Sequence, residues 1–146
     1  MTSAAPSSNP LPPKPLPRPD LDSLPFWQGV QVGELRVQRC GACGRLRWPA
    51  REICPACHAP DGEWIRVSGR GTIASWLRTH QVFFGAFKPD VPYVTVQVRL
   101  DEQPDLLMLG GWAGAGEPKS GAAVEAVFVP AGEGATLVHW RPATEG

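Results

Sequence analysis

Apolar and polar residues alternate along most of the chain after residue 33, a pattern typical of half-buried β-strands. The alternation is clearest in residues 92–100, whose alternate apolar positions are Val94, Val96, Val98 and Leu100. Together with turn signals such as Asp61-Gly62, it predicts strands at 34–40, 63–68, 71–84, 92–100, 105–112, 122–130 and 135–142. No segment after residue 60 has a helical period. Five or six short strands within residues 63–146 fit a small barrel of the OB type.

The first third of the chain has a different pattern. Residues 1–20 are too rich in proline to form a core, and 10–19 are expected to form an extended polyproline II arm. Residues 21–33 predict a short helix, with Asp22 or Ser23 as the cap, Pro25 in the first turn, and Gly29 and Gly33 keeping it short. Phe26, Trp27 and Val30 share one face of this helix. The expected architecture is mainly β: an arm (1–20), a helix (21–33), a ribbon (34–62) and a C-terminal OB-fold barrel (63–146).

The ribbon carries all four cysteines of the chain, in two CxxC turns. Cys40-Gly-Ala-Cys43 is followed after ten residues by Cys54-Pro-Ala-Cys57. Zinc prefers four tetrahedral ligands, and two CxxC turns at the ends of adjacent hairpins supply four thiolates. The spacing therefore predicts one structural zinc ion in a rubredoxin-like ribbon. Because four cysteines close the coordination shell, this ion is not expected to be a reaction centre.

Four alternatives remain for the cysteines. Disulfides are disfavoured in a reducing compartment, and a thioredoxin-like CxxC belongs to an alternating αβ pattern that the sequence lacks. Cys54-Pro-Ala-Cys57-His58 also spells the CxxCH of haem attachment, which would leave Cys40 and Cys43 without a role. His58 is an alternative ligand in place of Cys57.

Composition and charge bound the location and the partners. The chain is 42% hydrophobic and 19% charged, has no apolar run long enough to span a membrane, and shows no secretory signal, so we expect a cytoplasmic protein. The formal net charge is zero: residues 34–66 hold six arginines and four acids, whereas 67–146 hold six bases and eight acids. A sequence pI of about 6.8 and a mildly acidic barrel disfavour nucleic acid. A single-stranded nucleic-acid module remains the alternative function, since zinc ribbons and OB folds both occur there.

Catalytic motifs are missing from the sequence. It contains no GxSxG, HExxH or P-loop, and His80 and His139 stand alone in strand-like stretches. The apolar run from Phe83 to Phe87 is interrupted by glycine and bounded by Lys88-Pro89-Asp90. Such a loop is either an exposed binding surface or a segment that folds back on the barrel.

The order of these segments resembles the acyl-CoA-associated zinc-ribbon/OB-fold family, long catalogued as a domain of unknown function. The resemblance covers about residues 20–142. It rests on LPFWQGV, the two CxxC turns, EWIRVSGRGTIASW, VPYVTVQVRLDE and GAAVEAVFV, in that order. This resemblance implies a non-catalytic subunit of a thiolase-superfamily enzyme, either a thiolase or a retro-aldolase, for example in steroid or aromatic degradation.

The resemblance further implies that the barrel holds a coenzyme A thioester while the ribbon and the N-terminal segment dock on the enzyme. A hetero-oligomer such as a heterotetramer is expected. No nucleic acid and no membrane are expected as partners. The residues assigned to the substrate or partner surface are Phe26, Trp27, Arg70, His80, Phe84, Phe87 and Tyr93.

Overall fold

One helix, a three-stranded sheet and a five-stranded barrel make up the fold, which confirms the predicted class. The computed structural model describes residues 10–60 and 62–144, so residues 1–9 of the predicted arm, Asp61 of the predicted turn and the last two residues lie outside it. The elements are α1 (Leu24–Gln31), β1 (Leu35–Cys40), β2 (Leu46–Arg47), β3 (Gly62–Val67), β4 (Arg70–Thr79), a 3₁₀ turn (Gly85–Phe87), β5 (Tyr93–Leu100), β6 (Leu107–Trp112), β7 (Ala123–Gly132) and β8 (Ala135–Pro142). No helix among the described residues is long and apolar enough to cross a membrane.

The ribbon sheet has the order β2-β1-β3 and is antiparallel throughout. The sequence pattern assigned the strand after Asp61-Gly62 to the barrel segment 63–146, whereas its hydrogen bonds join it to the ribbon sheet. β3 pairs along its whole length with β1, from Leu35 opposite Val67 to Cys40 opposite Gly62. Alternation shows that a segment is a strand but not which strand it pairs with, and the barrel proper begins at β4.

The barrel closes in the order β4-β5-β6-β8-β7, with β7 pairing back onto β4. The predicted alternation of β5 is confirmed, since Val96, Val98 and Leu100 are buried. The second barrel strand is shorter than the predicted 71–84, because β4 ends at Thr79 and the chain continues as a loop through the 3₁₀ turn. The sheet closes through a short parallel contact between β6 and β8 at Gly111 and His139.

Helix α1 lies where ribbon and barrel meet. Ser23 occupies the N-cap position, although its hydroxyl bonds the Asp20 carboxylate rather than a helix amide. The helix is short, as expected, with eight residues, and Gly29 lies inside it rather than at its end. Gly29 is buried, and a Cβ at this position would lie 2.8 Å from the carbonyl oxygen of Glu34. The absence of a side chain therefore lets α1 pack closely on the start of β1.

The loop before β6 holds the barrel against the ribbon. The Gln103 side-chain amide donates to the carbonyl oxygen of Leu46 (2.7 Å) and its oxygen accepts from the Leu46 amide (2.9 Å). Gln103 thus mimics one rung of a β-ladder at the free edge of β2. Nearby, the Ser68 amide donates to the Glu102 carboxylate at 2.8 Å.

The described part of the proline-rich arm runs beside the loop that follows β4. Lys14 Nζ lies 2.6 Å from the Asp90 carboxylate and 5.7 Å from the centre of the Phe87 ring. Leu16 and Pro17 are half-buried, whereas most of the arm is exposed. The arm and the phenylalanine loop, far apart in sequence, are therefore neighbours in the fold.

Candidate metal centre and apolar groove

Two CxxC turns of similar geometry bring the four cysteine side chains together. In the first, the Gly44 amide donates to the Cys40 carbonyl and the Cys40 amide to the Arg45 carbonyl (3.0 and 2.9 Å). In the second, His58 and Ala59 take the corresponding places around Cys54 (2.9 and 3.0 Å). Each turn ends on a left-handed residue, Gly44 with φ +76° and His58 with φ +67°. His58 therefore completes the turn, and the side chains grouped as metal ligands are the four cysteines.

The spacing of the sulfur atoms fits a tetrahedral metal ion. Cys40 and Cys57 Sγ are 3.5 Å apart, Cys43 and Cys54 Sγ are 3.7 Å apart, and all four lie within 4.8 Å of one another. A tetrahedron with metal–sulfur bonds of about 2.3 Å has edges of about 3.8 Å. Cys40 and Cys54 are buried, and Cys43 and Cys57 are exposed. The four cysteines are thus positioned to bind one metal ion, with the site at the edge of the ribbon.

The electrostatics of the four thiols favour a bound cation. The backbone amides of Cys43 and Ala42, each 3.4 Å from Cys40 Sγ, lower the pKa of that thiol to about 6 because they stabilise the thiolate. The Ala59 amide lowers the pKa of Cys57, but the neighbouring Cys40, burial and the other two thiols together raise it to about 11. Without a cation, four adjacent thiols do not all ionise, because the thiolates repel one another. A divalent cation stabilises all four thiolates.

A second feature is an apolar groove of about 600 Å³ between α1, the end of β2 and the barrel. Trp27 and Trp48 form one side, and β6 with its exposed Leu109 forms the other. Phe26 also lines the groove and is only 4% exposed. Its ring centre lies 4.1 Å from that of Trp48. The remaining lining residues are Pro49, Thr95, Gln97, Leu107, Met108, Gly110, Gly111, Leu137, Val138 and His139.

Few polar groups interrupt this groove. His139 is half-buried, and burial lowers the pKa of its imidazole, which favours the neutral ring. Its Nε2 atom would lie 3.1 Å from a Cβ on Gly111. Glycine at this position therefore lets the imidazole lie against the backbone of β6. Thr95 and Gln97 supply the other polar side chains, so the groove suits a largely apolar ligand that carries a few hydrogen-bonding groups.

The structure separates the other residues assigned to the substrate or partner surface into groups. Phe26 and Trp27 belong to the groove, whereas Phe84, Phe87 and Tyr93 form a second aromatic group, with ring centres 6.4 and 6.2 Å apart in succession. Phe83 and Phe84 are 70% and 63% exposed, and Ala86 in the same loop is buried. The tip of this loop is thus exposed and its end folds back on the barrel, while its role as a binding surface stays a prediction.

Arg70 and His80 lie apart from these groups. Arg70 is exposed at the start of β4, where its guanidinium approaches the Glu125 carboxylate at 3.9 Å. His80 is exposed immediately after β4.

Sequence reasoning missed most of the groove. Trp48, Leu109 and the Gly110-Gly111 pair were not assigned to a site, and His139 was treated as an isolated strand residue. Two consecutive glycines inside a strand were the available signal, because glycine there often marks a close approach of another group.

The four-cysteine ribbon followed by an OB-fold barrel defines the class of protein. Residues 27–61 match the family described as "ChsH2, rubredoxin-like zinc ribbon domain", and residues 64–129 match "ChsH2, C-terminal OB-fold domain". The chain therefore belongs to the ChsH2 zinc-ribbon/OB-fold family, also called DUF35.

Two of the relatives that the chain matches are longer proteins. The chain is 32% identical to the "3-oxo-4,17-pregnadiene-20-carboxyl-CoA hydratase alpha subunit" of Mycobacterium tuberculosis, over 96% of this chain and 45% of that protein. It is 32% identical to the "Probable enoyl-CoA hydratase alpha subunit" of Thermomonospora curvata, over 61% of this chain and 27% of that protein. The chain thus spans less than half the length of either relative.

A solved structure matches over nearly its whole length. A chain of the "Ltp2-ChsH2(DUF35) aldolase" superposes with a TM-score of 0.78 at 28% identity, covering 88% of this chain and 99% of that chain.

Proposed function

We propose that this chain is a non-catalytic subunit of an enzyme complex that acts on acyl-CoA, with a thiolase-superfamily partner supplying the nucleophile and the base. The observation that carries the proposal is the match over 99% of a chain of the "Ltp2-ChsH2(DUF35) aldolase" and 88% of this chain. In this role the chain binds the coenzyme A thioester in its groove, holds one zinc ion in its ribbon, and stabilises the partner in a cytoplasmic hetero-oligomer such as a heterotetramer.

The groove supports the ligand class. Its 600 Å³ and its two tryptophans suit an acyl or pantetheine chain, which is flexible and mostly apolar. The His139 imidazole, whose neutral form is favoured by burial, and the Gln97 amide are available for the amide and carbonyl groups of such a chain.

The non-catalytic role is supported by the commitment of the cysteines. All four thiols lie in the metal cluster, where a bound ion leaves no thiolate free to attack a thioester. The serine hydroxyls bonded in the described residues have partners other than histidine, as for Ser75 with Gln97 and Ser23 with Asp20.

The nature of the partner needs an experiment, because two longer relatives are named hydratase subunits and the matched structure is named an aldolase. We expect a tagged chain, expressed in its native host, to co-purify with a thiolase-like protein that mass spectrometry identifies. The purified chain alone should show no acyl-CoA cleavage, and the co-expressed pair should. Recovery of a hydratase subunit in place of a thiolase-like protein would replace the partner class, and turnover by the chain alone would refute the accessory role.

The nucleic-acid alternative is tested on the same material. A chain with balanced charge should bind single-stranded DNA no more tightly than the non-specific range of about 10⁻⁴–10⁻⁶ M at physiological salt. A sub-micromolar affinity that falls steeply with salt would favour that alternative.

A further inference from the structure

A second cavity, of about 390 Å³, lies on the ribbon beside the metal site. Pro55 and Ala56 of the second CxxC turn form part of its wall. Unlike the apolar groove it is rich in charge, because three arginines line it: Arg45, Arg47 and Arg51.

Arg47 is the unusual member of this set. Only 6% of the residue is exposed, and it is the one buried charged residue found in the described part of the chain. Its Nε donates to the Gln38 side-chain oxygen at 2.8 Å, whereas its buried Nη1 has no hydrogen-bond partner among the described residues. A buried guanidinium group with an unpaired N–H is costly, and because Arg47 is among the lining residues, an anion bound in the cavity would offset its charge.

The charges around the cavity suit a dianion. Asp105 is the one acidic residue of the lining and pairs with Arg45. Arg51 uses its backbone amide, which donates to Gln38, while its exposed side chain makes no ion pair within the described residues. The side chains that line the cavity, three guanidinium groups and one carboxylate, have a balance of two positive charges. Guanidinium groups bind phosphate oxygens through paired N–H donors, and a phosphate monoester carries a charge near −2 at neutral pH.

The cavity lies next to the apolar groove. Trp48 lines both, and the successive residues Leu106 and Leu107 line one each. A single ligand with an apolar chain and a phosphate could therefore occupy the two sites on either side of Trp48.

We propose that the cavity lined by Arg45, Arg47 and Arg51 is a binding site for a phosphate monoester. The anion site rests on the residues above. Its assignment to the 3′-phosphate of coenzyme A rests in addition on the proposed function.

The test uses the zinc-loaded full-length chain and isothermal titration calorimetry with two probes, inorganic phosphate and adenosine 3′,5′-bisphosphate. We expect both to bind, and Arg45→Ala and Arg51→Ala each to weaken the bisphosphate by about tenfold or more. These two residues carry the test because they are exposed, whereas loss of the buried Arg47 would disturb folding. Arg66→Ala is the matched control, since Arg66 is an exposed arginine of the same sheet that lies outside this cavity.

The outcomes are distinct. Unchanged affinity in both cavity variants, or no saturable binding by the wild type, overturns the anion site. Zinc loss in these variants with no change in phosphate affinity also overturns it, because the arginines would then only offset the charge of the thiolates. A further titration compares coenzyme A with dephospho-coenzyme A. Tighter binding of coenzyme A supports the 3′-phosphate as the ligand, while equal affinities overturn that assignment.

Discussion

Two residues of the second CxxC turn, Cys54 and His58, have different roles that substitution can separate. Cys54 is 1% exposed and its sulfur belongs to the metal cluster. His58 follows the cluster in a left-handed conformation, which glycine adopts more readily than histidine. We expect wild-type protein to carry about one zinc per chain, Cys54→Ser to lose the zinc, and His58→Gly to keep it. The free energy of zinc binding to structural sites is about 10 kcal/mol or more, so the first variant should also lose the ribbon fold.

Metal analysis by mass spectrometry and far-UV circular dichroism measure both effects. Iron in the wild type, haem absorbance, or zinc loss in His58→Gly would contradict the four-cysteine assignment.

Leu109 offers a single-residue test of the groove. It lines the groove on β6 and is 64% exposed, while Leu77 on β4 is 57% exposed and lies outside the groove. A carboxylate at 109 would be desolvated by an acyl chain, so we expect Leu109→Glu to weaken acyl-CoA binding by about tenfold or more. Leu77→Glu should bind as the wild type does, and both variants should keep the wild-type stability within about 0.5 kcal/mol.

Tryptophan fluorescence measures this binding, because two of the six tryptophans of the chain, Trp27 and Trp48, line the groove. Equal affinities of the two glutamate variants would place the ligand elsewhere.

At the scale of elements, the loop after β4 has an exposed tip and a packed end. Phe83 and Phe84 are the exposed tip, whereas Phe87 is half-buried between Lys14 and Tyr93. We expect Phe83→Ala with Phe84→Ala to leave stability nearly unchanged and to weaken partner binding by about 2 kcal/mol or more, because large aromatic anchors dominate interfaces. Phe87→Ala should instead destabilise the chain by about 1–2 kcal/mol through lost apolar burial.

Thermal denaturation and the recovery of the partner in co-purification separate the two effects. If the double variant unfolds more easily than Phe87→Ala, the tip belongs to the core. If it retains the partner at full yield, the tip is not a docking surface.

Elements that depend on local pattern were predictable from the sequence, and those that depend on pairing were not. The CxxC spacing predicted the cysteine cluster, and alternation predicted β5 with its buried Val96 and Val98. The pairing of β3 with β1 was not predictable, because the alternation of β3 fits either sheet. The groove escaped prediction because its residues come from α1, the end of β2 and three barrel strands, and only the closed barrel brings His139 beside Gly111.

For the whole molecule, ribbon, helix and barrel share one core. Buried residues of α1 and β1, such as Phe26 and Val37, belong to the same apolar cluster as Val96 and Trp140 of the barrel. Gln103 adds two hydrogen bonds between the barrel loop and Leu46 of the ribbon. Elements that bury their apolar surface against one another unfold together, so this arrangement favours a single cooperative transition.

We therefore expect calorimetry of the zinc-loaded chain to show one thermal transition whose calorimetric and van't Hoff enthalpies agree. A chelator should lower the temperature of that single transition, because zinc binds the folded ribbon far more tightly than the unfolded chain. Gln103→Ala should lower the transition temperature too. It should reduce the free energy of unfolding by about 1–3 kcal/mol, since the Leu46 amide and carbonyl lose their partners. Gln28→Ala, at an exposed position of α1 for which the structure shows no side-chain hydrogen bond, is the control and should leave the transition in place. Two separate transitions, with the upper one insensitive to the chelator, would instead mean that the barrel folds independently of the ribbon.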